Sequence, residues 1–140
     1  MVDLQTILAG HRSKQKNMAE NVNDVSLVAS YSDIPDLFFD QILIQFKLSR
    51  IETMVLIYLY RLVWCRPNIY KQYGISPLLA HTEIVKKLAI ESEELYLALR
   101  RIEELGMIVT IRLGQYFVRK FFTKENDELF GIHYDDFDSN

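Results

Sequence analysis

The residues of this chain best suited to chemistry are two pairs of adjacent carboxylates, Glu93-Glu94 and Glu103-Glu104. General acid–base catalysis requires groups that converge on the reacting atoms of one substrate. In a helix, only residues three or four apart share a face, so adjacent glutamates point in different directions. The spacing therefore favours solvated helix faces over a catalytic pair.

Metal and nucleotide chemistry also lack a supporting pattern. His11, His81 and His133 are widely separated in the sequence. The acidic segment that follows His133 has no second ligand cluster to complete a cation site. The chain has no glycine-rich phosphate loop or dinucleotide turn. We therefore predict a protein that is not an enzyme, with no catalytic residues, no metal and no cofactor.

Cys65 is the only cysteine, so the chain cannot form an internal disulfide, which is typical of a reducing cytoplasm. It lies in an apolar helical run, which predicts a buried and inert thiol. The N-terminus lacks the charged and apolar segments of a signal peptide. The longest apolar stretch, Met54 to Tyr60, is far shorter than the ~18 residues of a membrane span. We predict a cytoplasmic protein without a membrane partner.

The charges are distributed unevenly. The net charge is −3, but residues 124–140 hold six acids and one lysine and so carry −5, which leaves +2 for residues 1–123. A mildly basic body with an acidic tail differs from a uniformly acidic protein. Two interpretations of the tail stand: a docking segment for a basic replication or transcription protein, and a disordered solubilising end.

The elements that position these charges are clearest in the second half of the chain. Thr82 and Ser92 are side chains of the kind that cap helices, and they predict helices at 83–89 and about 93–105. Apolar residues at spacings of three and four support the second helix. Gly106 suits the left-handed position that ends it.

A β-hairpin is predicted directly after these helices. Residues 107–112 and 115–121 alternate in polarity and are rich in branched and aromatic side chains. Leu113-Gly114 lies between them as the turn. Residues 78–80 form a short extended piece that we expect to pair with the hairpin.

Two further helices are predicted upstream. Pro35 precedes an amphipathic pattern at about 36–46. Ser49 and Glu52 fit a capping box, in which each side chain accepts from the other residue's backbone amide. The helix they start, about 50–65, is apolar almost all round, so it is either the central helix or a dimer face.

These patterns divide the chain into three parts. We predict an N-terminal arm, partly disordered or helical, at 1–32, a folded domain at 33–123 and an acidic C-terminal tail at 124–140. The arm is interpreted either as a solvated linker or as a segment that lies in a DNA minor groove. Its cations are Arg12, Lys14 and Lys16.

Four short motifs in residues 34–120 give the chain a family resemblance. They are IP at 34–35, LSRIE at 48–52, GIS at 74–76 and LxxIxxLGMI at 99–108. With the predicted helices and hairpin, they resemble winged-helix domains of the replication-initiation kind, such as the N-terminal domains of phage replication protein O and of the DnaD primosome proteins. The resemblance implies a mainly α winged helix-turn-helix with a small antiparallel β-hairpin and an N-terminal helical extension.

The resemblance also implies a DNA-binding protein of the replication-initiation or transcription-regulatory type, with double-stranded DNA as its partner. DNA contacts in this family come from the second helix of the motif and from the wing. Wing cations contact phosphates, and helix cations contact phosphate or guanine. The matching positions here, together with two lysines on the preceding helix, are Lys86, Lys87, Tyr96, Arg100, Arg101, Arg112, Arg119 and Lys120.

Glutamates at the start of the second helix do not fit this pattern. Glu91, Glu93 and Glu94 lie at the end that leads into the groove, where phosphates repel carboxylates. Acids at a helix N-terminus also stabilise the helix dipole by ~0.3–1 kcal/mol each. The alternative is therefore a winged helix used as a protein-protein or oligomerisation module, including a homodimer, without direct DNA binding.

Overall fold

The structure is a computed structural model that describes residues 29–133. Its helices, in chain order, are α1 (π-helical Phe38–Ile42, continuing as Leu43–Gln45), α2 (Arg50–Tyr60, continuing π-helically as Arg61–Cys65), α3 (His81–Leu88), α4 (Ser92–Glu104) and α5 (Lys124–Leu129). A 3₁₀ turn spans Lys71–Tyr73, and β1 (Ile108–Arg112) and β2 (Gln115–Val118) form an antiparallel hairpin.

The predicted class, mainly helical with a small antiparallel hairpin, is confirmed. Residues 1–28 of the predicted N-terminal arm, with Arg12, Lys14 and Lys16, lie outside the described residues. Within residues 29–133, no helix combines the length and the apolar character needed to cross a bilayer.

Helix α2 forms the centre of the core. The predicted capping box is confirmed, because the Ser49 amide donates to Glu52 Oε1 at 3.0 Å and the Glu52 amide donates to Ser49 Oγ at 3.1 Å. The helix packs against α4 and β2. Its side chains at Val55, Leu56 and Leu59 are fully buried. Of the two roles expected for this helix, the central one is therefore observed.

Helices α3 and α4 both begin earlier than predicted. Helix α3 starts at His81 after Ala80, which offers no capping side chain, so Thr82 lies inside the helix and is not its cap. Helix α4 starts at Ser92 itself, and Glu91 takes the cap position. The Glu91 amide donates to Glu94 Oε1 at 2.9 Å, which is the half of a capping box that the third residue of the helix supplies.

We expect Ser49→Ala to lower the free energy of unfolding by about 1 kcal/mol, because it removes the acceptor of a capping bond. Ser92→Ala is the matched control, since Ser92 occupies the first helical position and caps nothing. Its effect should stay within about 0.5 kcal/mol. Urea denaturation of both variants checks this, and equal losses of stability would contradict the assignment of the two caps.

Strand β2 is paired along both of its edges. β1 pairs with it on one side, with Ile108 opposite Val118. The segment 74–79 runs along the other side, where the Ser76 amide donates to the Tyr116 carbonyl at 2.8 Å and the Leu79 amide donates to the Gly114 carbonyl at 2.6 Å. The pairing predicted for residues 78–80 therefore begins earlier, and all of β2 is buried.

The chain leaves the sheet at Val118, which makes β2 shorter than the predicted strand at 115–121. Phe122 then adopts a positive φ of 74° and turns its ring into the core. There it stacks on Tyr60, with ring centroids 4.8 Å apart, and contacts Phe38, with centroids 5.2 Å apart. This aromatic cluster joins α1, α2 and the segment that follows the hairpin.

The predicted boundary at residue 124 is wrong, because α5 belongs to the folded domain. Thr123 caps α5 by accepting from the Asn126 amide at 3.1 Å. Asn126 donates from Nδ2 to Gln41 Oε1 of α1 at 2.7 Å, and Asp127 is almost completely buried. The first part of the predicted acidic tail is therefore ordered structure, while residues 134–140 lie outside the described range.

Candidate nucleic-acid interface

Helix α3 presents two cations to solvent. Ile84 is buried on its inner face, whereas Lys86 and Lys87 are exposed in its last turn. Lysines at a helix C-terminus also interact favourably with the helix dipole. Both predicted lysines are therefore available to a phosphate, although their position has this structural explanation too.

Helix α4 is strongly two-sided. Its predicted inner stripe is confirmed at Leu95, Ala98, Leu99 and Ile102, which are all buried. On the outer side, Tyr96 is 63% and Leu97 is 61% exposed. Large apolar side chains at such exposure are typical of a surface that meets a partner.

Two arginines extend this outer side of α4. The Arg100 side chain is 79% exposed, and its Nε lies 3.3 Å from Glu104 Oε1. An exposed ion pair between residues four apart contributes at most about 0.5 kcal/mol, so Arg100 can exchange this partner for another anion. Arg101 is also exposed. Both predicted arginines are thus on the surface.

Most glutamates around α4 have partners within the protein. Glu94 accepts from the Glu91 amide, and Glu103 Oε1 accepts from the Thr110 amide of β1 at 3.0 Å. Glu104 pairs with Arg100. Glu93, which is exposed, has no comparable contact among the described residues. Local structure therefore accounts for Glu103 and Glu104, and for one of the three acids that do not fit the DNA-binding pattern, Glu94.

An aromatic cluster connects α4 to the hairpin. His81 Nε2 lies 2.5 Å from the Tyr116 hydroxyl, and their rings stack. The exposed Tyr96 packs edge-on against the other side of His81, with centroids 6.0 Å apart. Burial raises the pKa of Tyr116, so its hydroxyl stays protonated and can donate to the imidazole. Sequence reasoning missed His81, because its partner Tyr116 is distant in the chain and no local pattern relates them.

Arg112 is the exposed cation of the hairpin. Its Nε donates to Gln115 Oε1 at 3.0 Å across the turn. Gln115 is buried and in turn donates from Nε2 to the Ser76 carbonyl at 3.0 Å. The guanidinium is therefore held in place at the tip of the hairpin.

The expectation that Arg119 is an exposed wing cation is wrong. It follows the end of β2 and is only 5% exposed. Its Nε donates to the Gly106 carbonyl at 2.7 Å, and its Nη1 lies 3.6 Å from Asp127 Oδ2. The Phe117 ring centroid lies 5.4 Å from the guanidinium carbon. Together these contacts hold the positive charge of Arg119 inside the protein.

Lys120 also departs from the predicted position, because it lies beyond the hairpin. Its side chain is half-buried, with Nζ 5.5 Å from the centroid of the Trp64 ring. It lines a cleft of about 340 Å³ together with Asp33 and Lys71. The cation–π contact accounts for the position of its charge without a role in DNA binding.

The surface of α3, α4 and the hairpin consequently has mixed charge. Its exposed cations are Lys86, Lys87, Arg100, Arg101 and Arg112. Its exposed acids are Glu83, Glu91, Glu93, Glu94, Glu103 and Glu104. Any nucleic-acid contact must therefore be local to the lysines and arginines and cannot depend on a uniformly positive field.

Groups that would support other chemistry are not assembled in the part of the chain that the structure describes. Across residues 29–133, no three His, Cys, Asp or Glu side chains come together as metal ligands. Burial raises the pKa of the Cys65 thiol, and its Sγ donates to the Asp33 carbonyl at 3.3 Å. A protonated thiol is a poor nucleophile, although Cys65 is half-buried and not buried as predicted.

Comparisons with protein families, with curated proteins and with solved structures find no match to this chain. The resemblance to replication-initiation winged helices stays a prediction that rests on the four motifs.

Proposed function

We propose that this domain is a winged helix that binds double-stranded DNA in replication initiation or transcription regulation. α3 and α4 are its helix-turn-helix, and the β1–β2 hairpin is its wing. The observation that carries the proposal is the succession of α3, a short turn, α4 and a hairpin, with exposed cations on each of these elements.

The turn between the helices supports this assignment. Only Ala89 to Glu91 separate α3 from α4, and Ala89 adopts the left-handed conformation with φ of 54°. A tight turn of this kind sets one helix against the outer side of the preceding one, as a helix-turn-helix requires. The second helix then presents Tyr96, Leu97 and Arg100 towards the major groove.

In this arrangement the cations divide into two groups. Lys86 and Lys87 on α3 and Arg112 at the hairpin tip contact phosphates and fix the orientation of the domain. Arg100 and Arg101 lie on the reading helix, where a guanidinium can bond the O6 and N7 atoms of guanine. Tyr96, whose ring packs against His81, supplies an apolar contact beside the two arginines.

The proposal predicts a steep salt dependence of duplex binding, because each neutralised phosphate releases counterions. We expect Lys86→Ala/Lys87→Ala to reduce the slope of log K against log salt by about 0.9 for each phosphate that is no longer neutralised. Fluorescence anisotropy of a labelled duplex at several salt concentrations measures this slope.

The matched control is Lys71→Ala/Lys124→Ala, which removes the same charge from exposed positions outside the proposed interface. This variant should keep the wild-type slope. Equal reductions of the slope in the two variants would show only a nonspecific response to net charge. Failure of the wild-type protein to bind duplex at low salt would overturn the proposal.

A protein-interaction module is the second candidate function. The observation that favours it is the exposure of Tyr96 and Leu97 beside the carboxylate of Glu93. An apolar pair flanked by acids suits a protein surface with apolar and basic side chains better than a phosphate backbone. Under this candidate, Leu97→Ala would abolish partner capture, and duplex binding would be absent in the wild type.

A further inference from the structure

A cleft of about 340 Å³ is lined by the segment that precedes α1, by α2 and by the chain that follows the hairpin. Tyr60 and Trp64 supply two of its aromatic side chains. The Tyr60 hydroxyl donates to the Lys120 carbonyl at 2.9 Å, and the Trp64 indole N–H donates to the Val118 carbonyl at 3.1 Å. The polar atoms of both side chains are therefore used inside the protein, and their rings offer the cleft apolar surface.

The charged side chains that line this cleft are mainly cationic. Lys71 and Lys120 line it together with a single acid, Asp33. Lys71 is exposed, and Lys120 Nζ lies 5.5 Å from the centroid of the Trp64 ring. Aromatic walls beside two ammonium groups are complementary to an aromatic side chain that is flanked by carboxylates.

The chain itself contains such a segment outside the described residues. Residues 134–140 have the sequence YDDFDSN, in which Phe137 stands between Asp136 and Asp138. They carry three acids and no cation. Residues 1–28, which also lie outside the described range, contain no aromatic residue and have three acids against three cations. Composition therefore matches residues 134–140, and not residues 1–28, to the cleft.

The last described residues are held next to the segment that carries Lys120. The Phe130 ring packs against that of Phe121, the neighbour of Lys120, with centroids 4.6 Å apart. The Ile132 amide then donates back to a carbonyl of α5 at 2.8 Å. Phe137 follows Ile132 by five residues, which span up to about 17 Å when extended. Neighbouring residues are only about 3.8 Å apart, so this length is enough for Phe137 to reach the cleft.

We propose that residues 136–138 bind in this cleft of their own chain. The Phe137 ring packs against Trp64, and the carboxylates on either side of it pair with Lys71 and Lys120. A short connection keeps the segment at a high effective concentration near the cleft, so that a small contact area is sufficient for binding. This site uses neither α3, α4 nor the hairpin, and it is therefore separate from the proposed DNA interface.

Trp64 is the only tryptophan of the chain, so its fluorescence reports directly on the cleft. The experiment measures quenching of this fluorescence by acrylamide in the full chain. A bound segment shields the indole from the quencher. Phe137→Ala should weaken binding of the segment by about tenfold or more and so raise the quenching constant. Phe39→Ala is the matched control, because it removes a 53% exposed ring of α1 that does not line the cleft, and it should leave quenching unchanged.

Lys71→Glu tests the charged part of the site. It should also raise the quenching constant, because it places a third carboxylate beside the two of the segment. Lys124→Glu makes the same change at an exposed position of α5 outside the cleft and should keep the wild-type constant. Acrylamide is uncharged, so neither substitution alters its local concentration by electrostatic attraction.

A free peptide with the sequence of residues 133–140 provides a second measurement. At millimolar concentration, which is typical of the effective concentration over a short linker, it should protect Trp64 in the Phe137→Ala chain. The same peptide with alanine in place of Phe137 should give no protection. Thermal unfolding by circular dichroism verifies that each variant is folded.

Three results would overturn the proposal: equal quenching in the wild type and Phe137→Ala, equal increases in Lys71→Glu and Lys124→Glu, or equal protection by the two peptides. A wild-type quenching constant that falls as the protein concentration rises would show that the segment of a second copy fills the cleft, which would overturn binding within one chain. Duplex binding enters none of these readouts, so their outcome is independent of DNA binding.

Discussion

Asp127→Ala should lower the free energy of unfolding by about 3–5 kcal/mol. The carboxylate is 1% exposed and has two roles. Its Oδ1 accepts from the Phe121 amide at 2.8 Å, and its Oδ2 lies 3.6 Å from Arg119 Nη1. Alanine would leave the buried guanidinium without its counter-charge and the amide without its acceptor, which is why the cost is large.

Urea denaturation of Asp127→Ala and of Glu128→Ala measures this effect. Glu128 is the next residue of the same helix but is exposed, so its removal should change stability by no more than about 0.5 kcal/mol. Asp127→Leu/Arg119→Met removes both charges together and should recover the part of the loss that comes from the unpaired charge, but not the part that comes from the Phe121 amide and the Gly106 carbonyl losing their partners. A decrease below about 1 kcal/mol in Asp127→Ala would show that the pair is not an important buried contact.

Gly114→Ala should destabilise the domain by about 2–5 kcal/mol through two effects. Gly114 has φ of +83°, in the left-handed region that disfavours any side chain. A Cβ at this position would also overlap the Leu79 carbonyl oxygen of the neighbouring segment. The Leu79 amide bonds the Gly114 carbonyl at 2.6 Å, so the two backbones cannot separate without breaking this hydrogen bond.

Gly106→Ala has the first effect alone, so its comparison with Gly114→Ala isolates the second. Gly106 has a similar φ of +79°, but a Cβ there would meet no atom within 4 Å. It should cost only the left-handed penalty of about 1–2 kcal/mol. Thermal and urea unfolding of the two variants give the difference, and equal decreases in stability would show that the close approach at Gly114 has no energetic weight.

Helices α1 to α4 and the hairpin were predictable because their signals are local, whereas α5 was assigned to the acidic tail. Apolar spacing predicted α1 and the inner stripe of α4, and the Ser49 capping box that predicted the start of α2 needs only neighbouring residues. The prediction that Ser92 caps α4 is wrong for a physical reason. Glu94 satisfies the Glu91 amide, so the helix starts at Ser92 itself.

The candidate site was less predictable, because it depends on contacts between distant segments. A wing cation and a buried structural arginine look alike in sequence, and only the contacts of Arg119 with Gly106 and Asp127 distinguish them. The same limit applies to His81, whose role follows from its contact with Tyr116. The charge of a residue is local information, but its exposure is set by tertiary structure.

The bond between the Leu79 amide and the Gly114 carbonyl has a consequence for folding. It closes a chain loop that contains α3, α4 and β1 in full. Closing a loop of this length costs roughly 3 kcal/mol of chain entropy, which the pairing of both edges of β2 and the burial of the inner stripe of α4 together offset. We therefore expect α3, α4 and the hairpin to assemble in one cooperative step, so that a state with only α3 and α4 in place is scarcely populated.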